Sequence, residues 1–331
     1  MKSTLLLLLI LAPFAALATE PPGMDAFVQR MAEQHGFEAH EVRKILGQAR
    51  KRQDIIDKIS RPAERTLNWS QYRKIFLTGK RIQGGVEFHQ RNRQALERAE
   101  REFGVPSQVI TAIIGVETFY GRITGRDRVL DALYTLAFHY PKRSKFFTSE
   151  LESFLLLARQ EGLDPNSPKG SYAGAMGLGQ FMPSSYLAYA VDFDGDGKRD
   201  IWKSETDAIG SVANYFANHG WKRDFPVTLP AQGVDPVDHA PFINGELKPA
   251  FTLAQLRKAG LHFDDAINDQ LKAALIELRT DSGKEYWLGL NNFYVITRYN
   301  HSHMYAMAVH QLGEAIHDKL GSAHESPLHA Q

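Results

Sequence analysis

Apolar residues recur at helical spacing along most of the chain. After the break at Pro21-Pro22-Gly23, the stretches Met24–Glu33 and Glu41–Arg52 carry stripes formed by Phe27 and Met31, then Val42, Ile45 and Leu46. Both are predicted as short amphipathic helices. A longer helix is predicted over Arg81–Phe103. Ser107–Tyr120 is apolar on nearly every side and follows the break Gly104-Val105-Pro106, so it reads as a core helix. Further helices are predicted at Phe146–Glu161 and Asp207–His219, with a Gly-rich stretch at Gly170–Gly179 between them. From Phe225 to Gly289 the pattern changes. Prolines recur at Pro226, Pro230, Pro236, Pro241 and Pro249, and the apolar runs shorten. Tyr286–Leu290 and Phe293–Thr297 are predicted as strands. Helical spacing returns over Tyr299–Leu320 through Met304, Met307, Ala308 and Leu312. The expected class is mainly α (α+β), with a small, partly β insertion. No internal repeat is present.

The first residues are an address rather than part of the fold. MKSTLLLLLILAPFAALA combines Lys2, an apolar run from Leu5 to Leu11 and the small-residue pattern Ala16-Leu17-Ala18. That is a signal peptide over 1–18, cleaved near Ala18. The run is interrupted by Pro13 and is shorter than the roughly 20 residues of a spanning helix. The expected location is a Gram-negative periplasm, with the mature chain soluble. The 331 residues include 39 Lys+Arg, 38 Asp+Glu and no Cys. The missing Cys excludes disulfides, thiol catalysis and Cys-based metal sites. It also removes the acceptor for a lipid, so no membrane anchor is expected. Arg43–Glu102 is basic, with 16 Lys/Arg against 7 Asp/Glu. It reads as a solvated helical surface, and export argues against a nucleic-acid partner. His301 and His303 lie close together without a second ligand cluster, so zinc is not expected.

Two local patterns carry chemistry. In Thr111–Gly121, helical spacing puts Glu117 on one face with Ile113, Ile114 and Tyr120. A carboxyl group on such a face is desolvated, which favours its protonated form and suits a general acid. A structural Glu bonded to backbone or to Arg fits the same pattern. The second pattern is Asp192-Phe193-Asp194-Gly195-Asp196-Gly197-Lys198-Arg199-Asp200, which matches the opening of an EF-hand loop. Asp192, Asp194 and Asp196 take the first three ligand positions. Lys198 offers its backbone carbonyl, and Asp200 acts directly or through water. The twelfth position is Lys203, which cannot bind a cation, so the closing carboxylate is Glu205 or Asp207. A structural Ca2+ is expected, and no organic cofactor. The Gly-rich run at 174–179 lacks the ending of a phosphate loop.

These patterns occur together with GVETFYG at 115–121, SYAGAMGLGQFMPSS at 171–185 and AIGSVANYF at 208–216. In that order and spacing they resemble the lytic murein transglycosylase B family, glycoside hydrolase family 103, in a soluble form without a lipid-acceptor Cys. The resemblance covers Met24 to Leu320. It implies a helical N-terminal domain (24–95), a lysozyme-like core (96–224) with a calcium loop at 192–207, a small β insertion (225–290), a helical return (291–320) and a tail (321–331). It implies cleavage of the MurNAc–GlcNAc β-1,4 bond of peptidoglycan without water, leaving 1,6-anhydro-MurNAc ends in cell-wall turnover. Such an enzyme is a carbon–oxygen lyase, and its partner is the peptidoglycan glycan strand; no cell-wall synthase or other protein partner is read from the sequence. Glu117 aligns with the family's catalytic acid/base. Ser171 and Gln180 match motif positions that face the sugar, Tyr215, Tyr299, Asn300 and Tyr305 resemble the family's further cleft residues, and Tyr72 and Arg143 are further cleft positions. Asp207 is the preferred last calcium ligand. Asp127 and Asp131 are read as salt-bridge or surface residues.

Other functions fit parts of these patterns. A hydrolytic muramidase on the same scaffold would leave reducing ends. A catalytically inactive peptidoglycan-binding protein would use the cleft only to hold glycan. A calcium sensor would rest on the acidic loop alone.

Overall fold

A computed structural model describes residues 21–61, 67–243 and 247–324. The signal-peptide reading at 1–18 and most of the 321–331 tail lie outside them. The described chain is mostly helical, with fourteen α-helices and two small sheets.

The N-terminal helices are α1 (Met24–His35), α2 (Ala39–Gly47), α3 (Gln53–Ser60), α4 (Trp69–Phe76), α5 (Gly79–Arg91) and α6 (Arg93–Phe103). The predicted helix Glu41–Arg52 instead ends at Gly47, and α3 begins at Gln53. The predicted Arg81–Phe103 helix is two helices. Asn92 leaves helical geometry at φ −109° and ψ 17°, and its side-chain amide donates to the Phe88 carbonyl and to Glu205. Contacts more than a hundred residues away in sequence thus set this break, and spacing does not register them.

Helix α7 (Ser107–Thr118) is the centre of the molecule. Every residue from Val109 to Thr118 is buried except Glu117. It stops short of the predicted Tyr120 because Phe119 and Tyr120 both turn left-handed, at φ 51° and 58°. Buried hydrogen bonds offset that strain. The Tyr120 hydroxyl donates to the Arg81 carbonyl, and Thr118 Oγ1 donates to the Leu178 carbonyl at 2.8 Å.

Strand β1 (Asp127–Arg128), helix α8 (Val129–His139) and helix α9 (Ser144–Gln160) follow, with a one-turn 3-10 helix at Pro141–Arg143. Strand β2 (Lys169–Gly170) pairs antiparallel with β1 and opens the Gly-rich loop. Helices α10 (Pro183–Tyr189) and α11 (Glu205–Asn218) complete this part.

The Pro-rich region forms a four-stranded antiparallel sheet in the order β3-β6-β5-β4. Its elements are β3 (Thr228–Pro230), β4 (Phe251–Thr252), helix α12 (Leu253–Lys258), β5 (Lys272–Thr280) and β6 (Gly283–Gly289). The β5–β6 hairpin pairs Ile276 with Trp287 and Thr280 with Gly283. Its tip is fixed to α4: Asn68 Nδ2 donates to Asp281 and the Asp281 N–H donates to Ser70. Leu229, Leu253, Leu256, Leu275 and Leu288 form a separate small core here. The other apolar cluster runs from Met24 to Ile316 and takes in Ile276 and Leu278 of β5.

Helices α13 (Asn291–Tyr299) and α14 (His303–His324) close the chain. The predicted strand Phe293–Thr297 is helical. A five-residue apolar run has no period of its own, and buried Asn292 fixes the helix start by donating to the carbonyls of Lys222 and Phe225. The predicted helix Tyr299–Leu320 begins only at His303, because Asn300–Ser302 form the link from α13. Helix α14 packs closely on α7: a Cβ at Gly313 would lie 3.3 Å from the Gln108 carbonyl.

Candidate active site

Glu117 sits one residue from the end of α7, half-buried among fully buried neighbours. The Tyr305 hydroxyl, from the first turn of α14, donates to its Oε1 at 2.5 Å. Tyr305 is 2% exposed. Burial, then the Glu117 charge, push its pKa well above the ordinary tyrosine value. It therefore stays a proton donor at any working pH. Tyr72 of α4 is buried beside it and contributes to the same upward shift.

Tyr299, at the end of α13, also feels Glu117: burial raises its pKa first and the Glu117 charge second. Its hydroxyl donates to the Gly179 carbonyl at 2.5 Å. Tyr215 of α11 meets Tyr299 edge-on at 4.8 Å between centroids and donates to the Arg298 carbonyl at 2.6 Å. The His219 ring stacks on Tyr215 at 3.9 Å. Tyr305 and Tyr299 thus both feel the Glu117 carboxyl group, with Tyr72 beside the first and Tyr215 against the second.

The Gly-rich loop packs against this group, its Gly179 carbonyl accepting from Tyr299. Ser171 Oγ accepts from the Ala175 N–H at 3.0 Å, which leaves its own proton free to donate. Gln180 adopts a left-handed backbone at φ 51°, and its Nε2 donates to the Thr124 and Gly177 carbonyls at 3.1 and 3.0 Å. Gly125 has φ +94°, and a Cβ there would lie 2.0 Å from the Gly170 carbonyl oxygen. Glycine is the residue this close approach allows.

Asn300 is exposed in the link between α13 and α14, directly after Tyr299. No contact ties Arg143 to this group among the described residues. It is exposed on the 3-10 turn, with its guanidinium 4.4 Å from the Phe146 ring centroid. Asp127 bonds Arg52, and Asp131 pairs with Arg128 and accepts the Arg50 N–H. Both are ion-paired as expected, although Asp131 is buried rather than at the surface. Sequence reasoning missed Thr118 and Arg81. Arg81 Nε donates to the Gly115 carbonyl at 3.1 Å and so braces the α7 turn that carries Glu117. Its spacing of 34 residues from Gly115 offers no local signal.

The family model described as Transglycosylase SLT domain matches residues 20–314. Membrane-bound lytic murein transglycosylase B of Escherichia coli (strain K12) is 45% identical over 304 residues, covering 89% of this chain and 82% of that protein. The chain belongs to the lytic murein transglycosylase family. The crystal structure of soluble lytic transglycosylase SltB1 from Pseudomonas aeruginosa superposes with a TM-score of 0.86 at 49% identity, covering 91% of this chain and 100% of that one. The Escherichia coli lytic transglycosylase Slt35 in complex with calcium gives 0.83 at 45% identity, covering 91% and 94%. A second Pseudomonas aeruginosa protein, SltB3 in complex with NAG-NAM-pentapeptide, gives 0.78 at 29% identity, covering 89% and 78%. The fold is thus that of lysozyme-like lytic transglycosylases.

The acidic loop of this transglycosylase suits a hard divalent cation. Carboxylate oxygens of Asp192, Asp194 and Asp196 all lie within 4.8 Å of one another. Oxygen donors in such a cluster are what Ca2+ takes. Asp192 is partly desolvated, yet the N–H groups of Gly197, Gly195 and Asp196 hold its carboxyl below the ordinary value. The Lys198 N–H donates to Asp196 at 2.8 Å, winding the loop back on itself. Asp200 Oδ1 accepts the N–H groups of Trp202 and Lys203, both at 3.0 Å. Asp207 is fully buried at the start of α11. Its Oδ1 accepts the N–H groups of Phe193 at 2.7 Å and Asp194 at 3.2 Å, and its Oδ2 accepts that of Asp200 at 2.8 Å. Glu205, the other candidate for closing the loop, instead binds Arg91 through both oxygens. Among the described residues no helix is long and apolar enough to cross a membrane.

Proposed function

We propose that Glu117 is the single acid/base of a non-hydrolytic cleavage of the MurNAc–GlcNAc β-1,4 bond in peptidoglycan. The observation that carries this reading is the Tyr305–Glu117 hydrogen bond at a half-buried carboxyl group. The Tyr305 proton occupies Oε1, which leaves Oε2 to carry the catalytic proton. Glu117 gives that proton to the departing GlcNAc oxygen as the C1–O bond breaks. Positive charge at the MurNAc anomeric carbon is met by the substrate's own N-acetyl oxygen. The ionised carboxylate then takes the proton of the MurNAc C6 hydroxyl, which attacks C1 and closes the 1,6-anhydro ring. An intramolecular nucleophile needs no activated water.

Most glycosidases require a second carboxylate. Here Asp127 and Asp131 are held in ion pairs, in keeping with a one-carboxylate route. Ser171, Gln180 and Asn300 would orient hydroxyl and N-acetyl groups. Tyr72, Tyr215, Tyr299 and Tyr305 would supply ring faces and O–H donors. Arg143 would reach substrate only at the outer end of the cleft. Asp192, Asp194 and Asp196, with the Lys198 carbonyl and support from Asp200 and Asp207, would hold Ca2+, which stiffens the loop and takes no part in the reaction. The enzyme would act in the periplasm after export and release from its signal peptide.

The test is digestion of purified murein with wild type and Glu117→Gln, read by mass spectrometry. Anhydro-MurNAc ends from the wild type alone are expected. Reducing ends without anhydro products would replace this reading with hydrolysis.

A further inference from the structure

Arg81, in the first turn of α5, is half-buried, and among the described residues no carboxylate lies within salt-bridge distance of it. Burial lowers its pKa, as it must for a cation taken out of water without a counter-charge. Such a placement costs stability, and backbone oxygens offset part of it. Nε donates to the Gly115 carbonyl at 3.1 Å, in the last turn of α7. Nη1 donates to the Ile75 carbonyl, in the last turn of α4. The Phe76 and Phe119 ring centroids lie 5.2 and 4.9 Å from the central guanidinium carbon. One rigid, planar fork thus joins the ends of two helices.

Both helix ends lead to the same carboxyl group. Gly115 lies two residues before Glu117, and the chain turns left-handed at Phe119 and Tyr120 directly after the helix. The last turn of α7 therefore has no following turn to stiffen it. On the α4 side, Phe76 packs on Tyr72 at 5.1 Å between centroids. Tyr72 is buried beside Tyr305, which holds Glu117 Oε1. The guanidinium closes a ring. Through α7 it reaches the backbone of Glu117, and through α4 it reaches the tyrosine pair that orients the carboxyl tip. In the reaction above, that carboxyl group gives one proton to the leaving oxygen and then takes another from the C6 hydroxyl. Two transfers at two places require backbone and tip to be fixed relative to each other, and a misplacement of about 1 Å can cost about 10²-fold.

We propose that Arg81 is a positioning residue for the proton transfers of Glu117, acting through the Gly115 carbonyl and the Ile75–Phe76 turn rather than through contact with glycan. The inference rests on the peptidoglycan reading above. A merely structural Arg81 would show only as lost stability. A positioning Arg81 shows as a loss of kcat at constant KM.

The experiment compares wild type, Arg81→Lys, Arg81→Met and Tyr120→Phe by steady-state kinetics on soluble murein fragments, with melting curves alongside. The low-field proton resonance of the Tyr305–Glu117 hydrogen bond, assigned by its loss in Tyr305→Phe, is recorded without substrate. Arg81→Lys keeps the charge but replaces the fork with a single ammonium group. It should lower kcat about tenfold with KM changed by less than about twofold. Arg81→Met should lower kcat about 10- to 100-fold and move the resonance upfield. Tyr120→Phe removes the hydroxyl that donates to the Arg81 carbonyl at 2.9 Å and leaves the guanidinium in place. It should melt earlier and keep both kcat and the resonance. Wild-type kcat in the Arg81 variants would overturn the proposal. So would an equal loss of kcat in Tyr120→Phe, a rise in KM that accounts for the whole effect, or an unmoved resonance in Arg81→Met. If Arg81→Met does not fold, the kinetics of Arg81→Lys decide. A wild type that leaves no anhydro ends would defeat the functional reading instead, and the resonance stands apart from that outcome.

Discussion

Tyr305 and Glu117 are joined by a 2.5 Å hydrogen bond across 188 sequence positions. The hydroxyl is a buried donor that keeps its proton, so it holds Oε1 and orients the carboxyl group. Removing it in Tyr305→Phe should leave the ring packing in place and lower kcat about 10- to 100-fold with little change in KM. Steady-state kinetics on soluble murein fragments, with a melting curve as control, check this.

Glu117→Gln keeps the shape of the side chain and an oxygen for Tyr305 to bond. Loss of a positioned acid/base should cost about 10²–10⁴ in rate. Anhydro-product release should fall by that amount with the melting temperature nearly unchanged. Wild-type lysis in this variant would remove Glu117 from the chemistry.

Asp207 and Asp194 should respond differently to calcium. At 100 times Kd, calcium should stabilise the wild type by about 2.7 kcal/mol, and a chelator should reverse the gain. Asp194→Ala should abolish the gain and leave the chelated protein's melting temperature almost intact. Asp207→Ala should destabilise the chelated protein too, by about 2–4 kcal/mol, because its buried carboxylate satisfies three backbone N–H groups. Calorimetry with and without calcium separates the two.

His310 on α14 sets an acid limit. Burial lowers its pKa from 6.5 to about 4. Between those values the unfolded chain binds a proton that the folded chain refuses. Stability is therefore full above about pH 6.5 and declines as pH falls toward 4, by up to about 3 kcal/mol. His310→Gln should flatten that part of the curve of melting temperature against pH.

Gly125→Ala should fail locally. Its φ of +94° disfavours a side chain, and the new Cβ would meet the Gly170 carbonyl oxygen at 2.0 Å. A loss of at least about 2 kcal/mol is expected, with activity falling because Ser171 follows directly. Denaturant melts and murein digestion measure both effects.

Much of the molecule was legible in the chain. The apolar run around Glu117 gave a core helix, because a helix buried on all sides needs apolar residues on all sides. The Asp-rich loop was legible because its carboxylates are close in sequence. Legibility failed where distant contacts overrode local preference. Asn92 splits a predicted helix through its bond to Glu205, and Phe293–Thr297 is helical against a strand-like run. The family resemblance puts Tyr299 among the expected cleft residues, but its bond to the Gly179 carbonyl could not be read from spacing.

The sequence by itself determined the helical class, the Pro-rich β insertion, the acid on an apolar helix and the acidic loop. Each depends on residues within a few turns of one another. Only the tertiary structure decided that Tyr305 donates to Glu117 and that Asp207 clamps backbone while Glu205 pairs with Arg91. Those relations join residues brought together by packing, and packing is set by the whole core at once.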